Sequence, residues 1–180
     1  MTEGILSGRK VAFLLTNGFE DSELTSPWEA IGKAGGKAVL IAPETGTITG
    51  KNGHLARVDL PVDNANASLF DALVLPGGVV NADHLRLNER AVAFVRDIFA
   101  SNKPVAVICH GAWILADAEV LRGRRITSYP SLATDLRNAG ATWVDQEVVV
   151  DNGLVSSRRP ADLPAFNRKM VEEIAEGLHD

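Results

Sequence analysis

The sequence contains one cysteine among 180 residues, Cys109, and this scarcity limits the classes of protein to consider. A single cysteine cannot form a disulfide within the chain, whereas small secreted proteins usually depend on several. We therefore expect a protein of the cytoplasm, where reducing conditions keep a thiol free. The same environment leaves Cys109 usable as a nucleophile.

Long apolar runs and basic clusters are missing as well. No stretch approaches the roughly 20 apolar residues of a membrane span, and Met1 to Gly4 lack the features of a signal peptide, so we expect no membrane association. The net charge is −5 and no block of Lys and Arg occurs, which argues against a stable complex with nucleic acid. The composition, 46% hydrophobic and 23% charged, is that of a globular chain long enough to bury a sizeable core.

The cysteine follows directly on an apolar strand. Residues 105–108 are Val-Ala-Val-Ile, a pattern typical of a buried parallel strand. Beyond Gly111 the apolar residues are spaced as in a helix, which places Cys109 on a sharp turn at the carboxyl end of the strand. Open α/β sheets form their sites at that edge, and a nearby helix N-terminus favours a thiolate.

Two interpretations of Cys109 are open at this point. Free cysteines are among the most buried residue types, so a structural role in the core is the simpler one. The adjoining His110 and Gly111 favour a reactive site, because glycine permits a tight turn and an imidazole has little reason to interrupt a core strand. The geometry is similar to the nucleophile elbow of hydrolases, although Val107 stands where that motif has glycine.

Strand-length apolar runs and amphipathic helices alternate along nearly the whole chain. The predicted strands cover residues 10–16, 37–42, 70–75 and 126–129, with short strands near 143–144, 147–150 and 154–157; the predicted helices cover 25–36, 88–99, 132–139 and 165–178. Two β-prone runs within 46–59 surround Asn52-Gly53 and predict a hairpin, while 81–86 is interpreted as a short polar connection. The alternation predicts a single flavodoxin-like α/β domain, a doubly wound and mostly parallel sheet with helices on both faces.

Two further strand ends carry polar groups suited to a site. Glu20 follows the first strand, at the edge that a doubly wound sheet shares with the strand of Cys109. Gly77 and Gly78 follow the strand of residues 70–75. These glycines can simply make a turn, or they can leave backbone N–H groups directed into the site as oxyanion donors.

Several spaced motifs resemble the ThiJ/PfpI superfamily, and more narrowly its PfpI-type intracellular protease or stress-protein branch. The motifs are Asn-Gly-Phe-Glu-Asp-Ser-Glu-Leu at 17–24, Gly-Thr-Ile-Thr-Gly-Lys at 46–51, Leu-Pro-Gly-Gly at 75–78, Ile-Cys-His-Gly at 108–111, Ser-Tyr-Pro at 128–130 and Ser-Ser-Arg at 156–158. The match extends from about Lys10 to Leu163. The resemblance implies one domain of the class I glutamine amidotransferase-like type over residues 1–180.

The resemblance also implies roles for individual residues. Cys109 would be the nucleophile, and Glu20 would be the family's buried, protonated glutamate that shares a hydrogen bond with the sulfur. The backbone N–H groups of Gly78 and His110 would form the oxyanion site, and Tyr129 would line the pocket.

In the PfpI branch the histidine after the cysteine is the general base, oriented by an acid from a neighbouring subunit. Here those positions are His110 and Asp83; the family usually has Glu at the latter, and the loop before Leu87 is one residue longer in this chain. Side chains of adjacent residues on a turn tend to diverge, so the residues alone leave open whether His110 reaches the sulfur of Cys109.

The resemblance implies an enzyme of stress protection that acts on small carbonyls such as methylglyoxal or on glycated amino groups of proteins and peptides, with peptidase activity also described in the branch. A different class is a redox sensor or stress chaperone, in which Cys109 is oxidised and catalysis is incidental. A glutamine amidotransferase is disfavoured, because that class has a His and a Glu close together downstream, and the last histidine here, His179, lies in the terminal tail.

No cofactor and no metal is expected, since Cys109 and His110 are adjacent and chelate poorly as a pair. Relatives of this kind form homodimers or higher oligomers built from dimers, with sites at subunit interfaces. The resemblance therefore implies the same assembly here.

Overall fold

The computed structural model describes residues 4–179, so Met1 to Glu3, which entered the signal-peptide expectation, lie outside the described residues. The strands are β1 Lys10–Leu14, β2 Lys37–Ala42, β3 Thr47–Thr49, β4 Leu55–Arg57, β5 Leu60–Pro61, β6 Ala72–Leu75, β7 Val105–Ile108, β8 Arg125–Ile126, β9 Thr142–Trp143, β10 Val148–Asp151 and β11 Leu154–Ser157. The helices are α1 Asp21–Lys33, α2 Val79–Leu85, α3 Glu89–Ala100, α4 Trp113–Asp117, α5 Ala133–Asn138 and α6 Leu163–Glu176.

Seven strands form the main sheet in the order β10-β11-β7-β6-β1-β2-β5. All neighbours are parallel except β10, which pairs antiparallel with β11. The chain runs outward from β1 to β2 and then returns to β6 on the other side of β1. This reversal opens a crevice at the carboxyl ends of the central strands, where doubly wound sheets bind ligands. The flavodoxin-like fold is confirmed.

Each face of the sheet has its own apolar core. Helices α1 and α6 cover one face, where Phe13 and Phe166 are fully buried. Helices α3, α4 and α5 cover the other face, where Leu73 and Ile98 are fully buried. Complete burial of such a side chain contributes roughly 1.5–3 kcal/mol, so two filled layers hold the strand ends in fixed positions.

The local predictions agree with the structure at most elements and fail at three. The predicted hairpin is present as the antiparallel pair β3 and β4. Helix α1 begins at Asp21 rather than at Thr25, and residues 81–86, expected as a connection, lie in or directly after α2. The predicted strand at 126–129 is reduced to β8, because Pro130 starts a helical turn soon after it. Within residues 4–179 no helix is both long and apolar enough to cross a bilayer.

Candidate active site

Cys109 lies on a strained turn between β7 and α4. Its φ is +60°, a left-handed conformation that costs a non-glycine residue about 1–2 kcal/mol. A one-turn 3₁₀ segment, Cys109–Ala112, leads from the strand into the helix. A side chain at Gly111 would come within 2.3 Å of the Leu75 carbonyl oxygen, so only glycine lets the turn pack against β6. The elbow expected from the sequence is present, with Cys109 8% exposed.

His110 reaches the sulfur of its neighbour despite the adjacency of the two residues. Its Nδ1 lies 3.3 Å from Cys109 Sγ. The ring stacks on Tyr129 with centroids 4.7 Å apart, and Nε2 lies 3.4 Å from Ser131 Oγ. Burial, followed by the positive charge of Lys51, lowers the pKa of His110 below 6.5. A neutral imidazole in this position can accept the proton of the thiol.

The buried glutamate beside the thiol is Glu23, and the assignment of this role to Glu20 is wrong. Because α1 begins at Asp21, Glu20 lies at the N-cap, where its carboxylate pairs with Lys51 Nζ at 2.6 Å. Glu23 lies within the first turn of the helix and is fully buried. Its Oε1 accepts a hydrogen bond from Gly77 N–H at 2.9 Å, and its carboxyl interacts with the Cys109 thiol.

A sequence signal for Glu23 exists but depends on the true start of α1. Glu23, Pro27 and Ile31 follow one another at four-residue spacing, and all three are buried. Such spacing marks one face of a helix. A helix that is predicted to start at Thr25 does not include Glu23, so its buried face begins at Pro27. The sequence prediction therefore did not show Glu23 as a buried acid.

Burial controls the electrostatics of the thiol and the carboxyl. Desolvation is the largest effect on Glu23 and raises its pKa to about 8, so this carboxyl carries a proton at neutral pH. Desolvation, followed by the charge of an ionised Glu23, raises the pKa of Cys109, while the backbone N–H groups of His110 and Gly78 lower it. A protonated Glu23 removes the repulsive charge, so its proton favours development of negative charge on the sulfur.

The two glycines after β6 have different tasks. Gly78 has a φ of +98°, and its N–H acts on the Cys109 sulfur together with that of His110. The oxyanion role that the resemblance implies for these two groups stays a prediction. Gly77 was expected to supply a further free N–H, which is wrong because that group donates to Glu23. A side chain at Gly77 would come within 2.4 Å of Glu23 Oε1 and 2.8 Å of Cys109 Cβ. Gly77 therefore serves close packing between these two residues.

Asn81 is a positioning residue that the sequence analysis did not identify. It is fully buried in α2, and its Oδ1 accepts a hydrogen bond from Thr16 N–H at 2.7 Å. Its Nδ2 donates to the carbonyl groups of Pro76 and Gly77 at 3.1 and 3.0 Å. One side chain thus ties the end of β1 to the turn that carries the oxyanion donor. The sequence predicts a short polar connection over residues 81–86, so nothing in it marks Asn81 as buried.

Tyr129 and Asp83 occupy different surroundings. Tyr129 covers the His110 ring and is 40% exposed, so it stands at the mouth of the site. Asp83 is exposed on α2, and within the described part of this chain it forms no ion pair or hydrogen bond with His110. A role for Asp83 would therefore need a second copy of the chain.

The arrangement is suited to covalent chemistry at an electrophilic carbon. The sulfur can act as a nucleophile, the imidazole at 3.3 Å can take its proton, and the backbone N–H groups of His110 and Gly78 lie against the sulfur. The structural alternative for Cys109 does not account for this convergence.

Comparisons with known proteins agree with the geometry. Residues 9–173 match the DJ-1/PfpI family. The chain is 52% identical to deglycase PH1704 of Pyrococcus horikoshii over 163 residues, which are 91% of this chain and 98% of that protein. It is 47% identical to general stress protein 18 of Bacillus subtilis over 167 residues, 91% of this chain and 96% of that protein.

A solved structure of a two-domain protein from Anabaena variabilis, containing DJ-1/ThiJ/PfpI-like and ferritin-like domains, has a TM-score of 0.89 to this chain at 34% identity. That likeness covers 92% of this chain and 48% of the other. The family match includes the elbow of Cys109. The chain belongs to the DJ-1/PfpI family.

Proposed function

We propose that this protein is a cysteine-dependent enzyme of stress protection that acts on small α-oxoaldehydes and on the early adducts they form with amino groups. The observation that carries the proposal is the contact of 3.3 Å between Cys109 Sγ and His110 Nδ1 on a strained elbow with two backbone donors. Two relatives, a deglycase and a general stress protein, support this substrate class and this role.

The reaction starts with addition of the sulfur to the aldehyde carbon. His110 accepts the thiol proton, and the carbonyl oxygen takes the negative charge, which the N–H groups of Gly78 and His110 stabilise. Transfer of a proton from this carbon to the adjacent carbon then oxidises the first to a thioester and reduces the ketone to an alcohol. Water hydrolyses the thioester, so methylglyoxal plus water gives lactate and the free thiol.

The same steps act on a carbinolamine, the first adduct between an α-oxoaldehyde and an amine. The sulfur replaces the amine at the carbinol carbon: the C–S bond forms as the C–N bond breaks, and the amine leaves with the proton that His110 took from the thiol. The resulting hemithioacetal undergoes the same proton transfer to a thioester, from which water releases the hydroxy acid. The products are lactate and the restored amine. No external oxidant is needed, because one carbon is oxidised and its neighbour reduced.

The chain functions as a homodimer or a larger oligomer built from dimers in this proposal, and it works in the cytoplasm, where the thiol stays reduced. Two observations support an assembly next to the site. Val79, Val80 and Leu87 are 55%, 51% and 79% exposed around Asp83 on and just after α2. Among residues 4–179, moreover, Nε2 of His110 meets the Ser131 hydroxyl at 3.4 Å and no carboxylate, so an acid from a neighbouring copy could supply that partner.

The test is the conversion of methylglyoxal to lactate by freshly reduced protein, with Cys109→Ser measured alongside. We expect turnover in the original chain and a loss of at least about 10³-fold in kcat/KM for the variant. Release of free amine from a preformed methylglyoxal–amine adduct should fall in parallel. Consumption of one equivalent of peroxide per chain without turnover of either substrate would instead identify a redox sensor, and cleavage of peptides alone would identify a peptidase.

A further inference from the structure

The end of α6 and the tail after it bring two carboxylates and an imidazole together. Glu173 and Glu176 lie in the last turns of the helix, and His179 follows three residues later. One ligand atom from each residue lies within 4.8 Å of the others, and His179 Nε2 is 3.2 Å from Glu173 Oε2. None of these residues contributes to the site around Cys109.

The contact between His179 and Glu173 does not have the geometry of a hydrogen bond. His179 Nε2 is buried, and among residues 4–179 it has no hydrogen-bond partner despite the short distance to the carboxylate. Two ligands on a tetrahedral metal, each with a bond of about 2.0–2.1 Å, are roughly 3.3 Å apart. The observed separation matches that edge, so both atoms are placed to face one ion.

The electrostatic surroundings favour a cation. The carbonyl end of α6 carries the negative end of the helix dipole. Glu173 is 8% exposed, and Glu176 places a second carboxylate close to it. The cations around this helix end are bound to other groups. Arg9 donates to the Ala175 carbonyl in the last turn of α6, and Lys169 pairs with Glu172. Arg124 pairs with Asp151, and Lys103 donates to the Ala67 carbonyl.

The tail itself is held in a defined position. His179 N–H donates to the Asn102 carbonyl at 2.9 Å, in the turn that follows α3. The imidazole packs over Gly153, where a side chain would come within 2.7 Å of the ring. The ring is therefore presented to the two glutamates by the fold and is not a free terminal side chain.

We propose that Glu173, Glu176 and His179 form a binding site for a divalent transition-metal ion of the zinc class, which fastens the C-terminal tail to the body of the protein. An imidazole with two carboxylates suits Zn²⁺ and disfavours Mg²⁺, which prefers oxygen ligands and keeps its water. The site lies near the amino ends of β7 and β11, on the edge of the sheet opposite to Cys109. Two of its three ligands, Glu176 and His179, lie beyond residue 173, where the family match ends.

The test is titration of the full chain with Zn²⁺ in a calorimeter, carried out in a Cys109→Ala background so that the thiol does not compete. We expect one saturable site per chain and a rise in melting temperature with added Zn²⁺. Glu176→Gln and His179→Gln should each weaken binding by at least about tenfold. Glu176 is exposed and His179 is partly buried, and circular dichroism will confirm that both variants fold.

The matched control is Glu172→Gln, which removes a carboxylate from the neighbouring position of the same helix and should bind Zn²⁺ as before. The same titration with Mg²⁺ should show no comparable binding. Absence of saturable Zn²⁺ binding, or binding unchanged by His179→Gln, would overturn the proposal and leave a simple ion pair between His179 and Glu173. Since the site does not touch Cys109, these outcomes are independent of any result on turnover.

Discussion

At the scale of single residues, the pairing of a buried acid with a buried thiol makes activity depend on the proton of Glu23. Ionisation of Glu23 puts a negative charge beside a sulfur that must itself become negative. The pKa of Glu23 is raised to about 8, and that of His110 is lowered below 6.5. The competent form therefore has a protonated Glu23 and a neutral His110.

We predict a bell-shaped pH dependence of kcat/KM with methylglyoxal as substrate. The acid limb should lie below pH 6.5, where His110 becomes protonated and can no longer accept the thiol proton. The alkaline limb should lie near pH 8, where Glu23 ionises. In Glu23→Gln, which has a similar shape and no charge, the alkaline limb at that position should disappear.

The control for this profile is Glu29→Gln, which removes an exposed acid from the same helix and should leave both limbs in place. Glu20→Gln should also retain the alkaline limb, since Glu20 pairs with Lys51 and not with the thiol. If the limb instead moved with Glu20→Gln and stayed in Glu23→Gln, the acid beside the sulfur would have been assigned incorrectly.

Among single residues, those that directly follow the carboxyl end of a strand could be identified from the sequence. Cys109, His110 and Gly78 were all found in this way, because the carboxyl ends of parallel strands meet at one edge. The choice between Glu20 and Glu23 could not be made from strand ends. It depends on the residue at which α1 begins, and helix starts are poorly specified when no Ser, Thr, Asp or Asn side chain caps the helix, as at Glu20 here.

At the scale of elements, the turns after β6 and β7 must pack closely for the site to form. Asn81 in α2 holds one of these turns through three hydrogen bonds, and Gly77 lets it approach the other. The sequence predicts the long strands and helices from their periodicity. It does not predict α2, since seven residues of mixed character give too short a pattern, and the helix is stabilised by buried contacts of Asn81 made across the fold.

Two glycine substitutions should distinguish a glycine that is needed for close packing from one that only gives the backbone conformational freedom. Gly77→Ala forces a methyl group against Glu23 and Cys109, and we predict a loss of at least about 100-fold in kcat/KM, with a loss of about 1–3 kcal/mol in the free energy of unfolding. Gly32→Ala places its methyl group in open space on the exposed side of α1 and should stabilise the protein by about 0.5–1 kcal/mol.

Both glycine variants are measured by chemical denaturation and by steady-state turnover. Gly32→Ala should keep the activity of the original chain. Full activity in Gly77→Ala would show that the turn after β6 can move away from Cys109 without consequence, against the close packing described above.

At the scale of the whole molecule, the central question is whether one chain holds a complete site. Nδ1 of His110 is occupied by the thiol, and the acid that the family resemblance assigns to orient the ring, Asp83, lies on the surface. The exposed apolar residues around Asp83 suit a contact with a second copy. In such an assembly the Asp83 of one chain would serve the His110 of another.

This assembly predicts complementation between two defective variants. Asp83→Asn and Cys109→Ser should each be inactive or nearly so when purified alone. In a dimer formed at random from equal amounts of both, half of the molecules are mixed, and each mixed dimer holds one site with an intact Cys109 and an intact Asp83. Refolding the variants together should therefore restore about a quarter of the original activity, because isologous symmetry places the two sites independently.

Activity of the co-refolded mixture is compared with that of the two variants refolded separately and then combined. The partner control is Glu89→Gln in place of Asp83→Asn; this acid is exposed at the start of α3 and should be fully active by itself. Complementation above the separately refolded control requires that residues of two chains meet in one site. If Asp83→Asn alone retains full activity, or if the mixture shows no gain, then His110 works without an acid from a neighbouring copy, and its orientation rests on Tyr129 and Ser131 of its own chain.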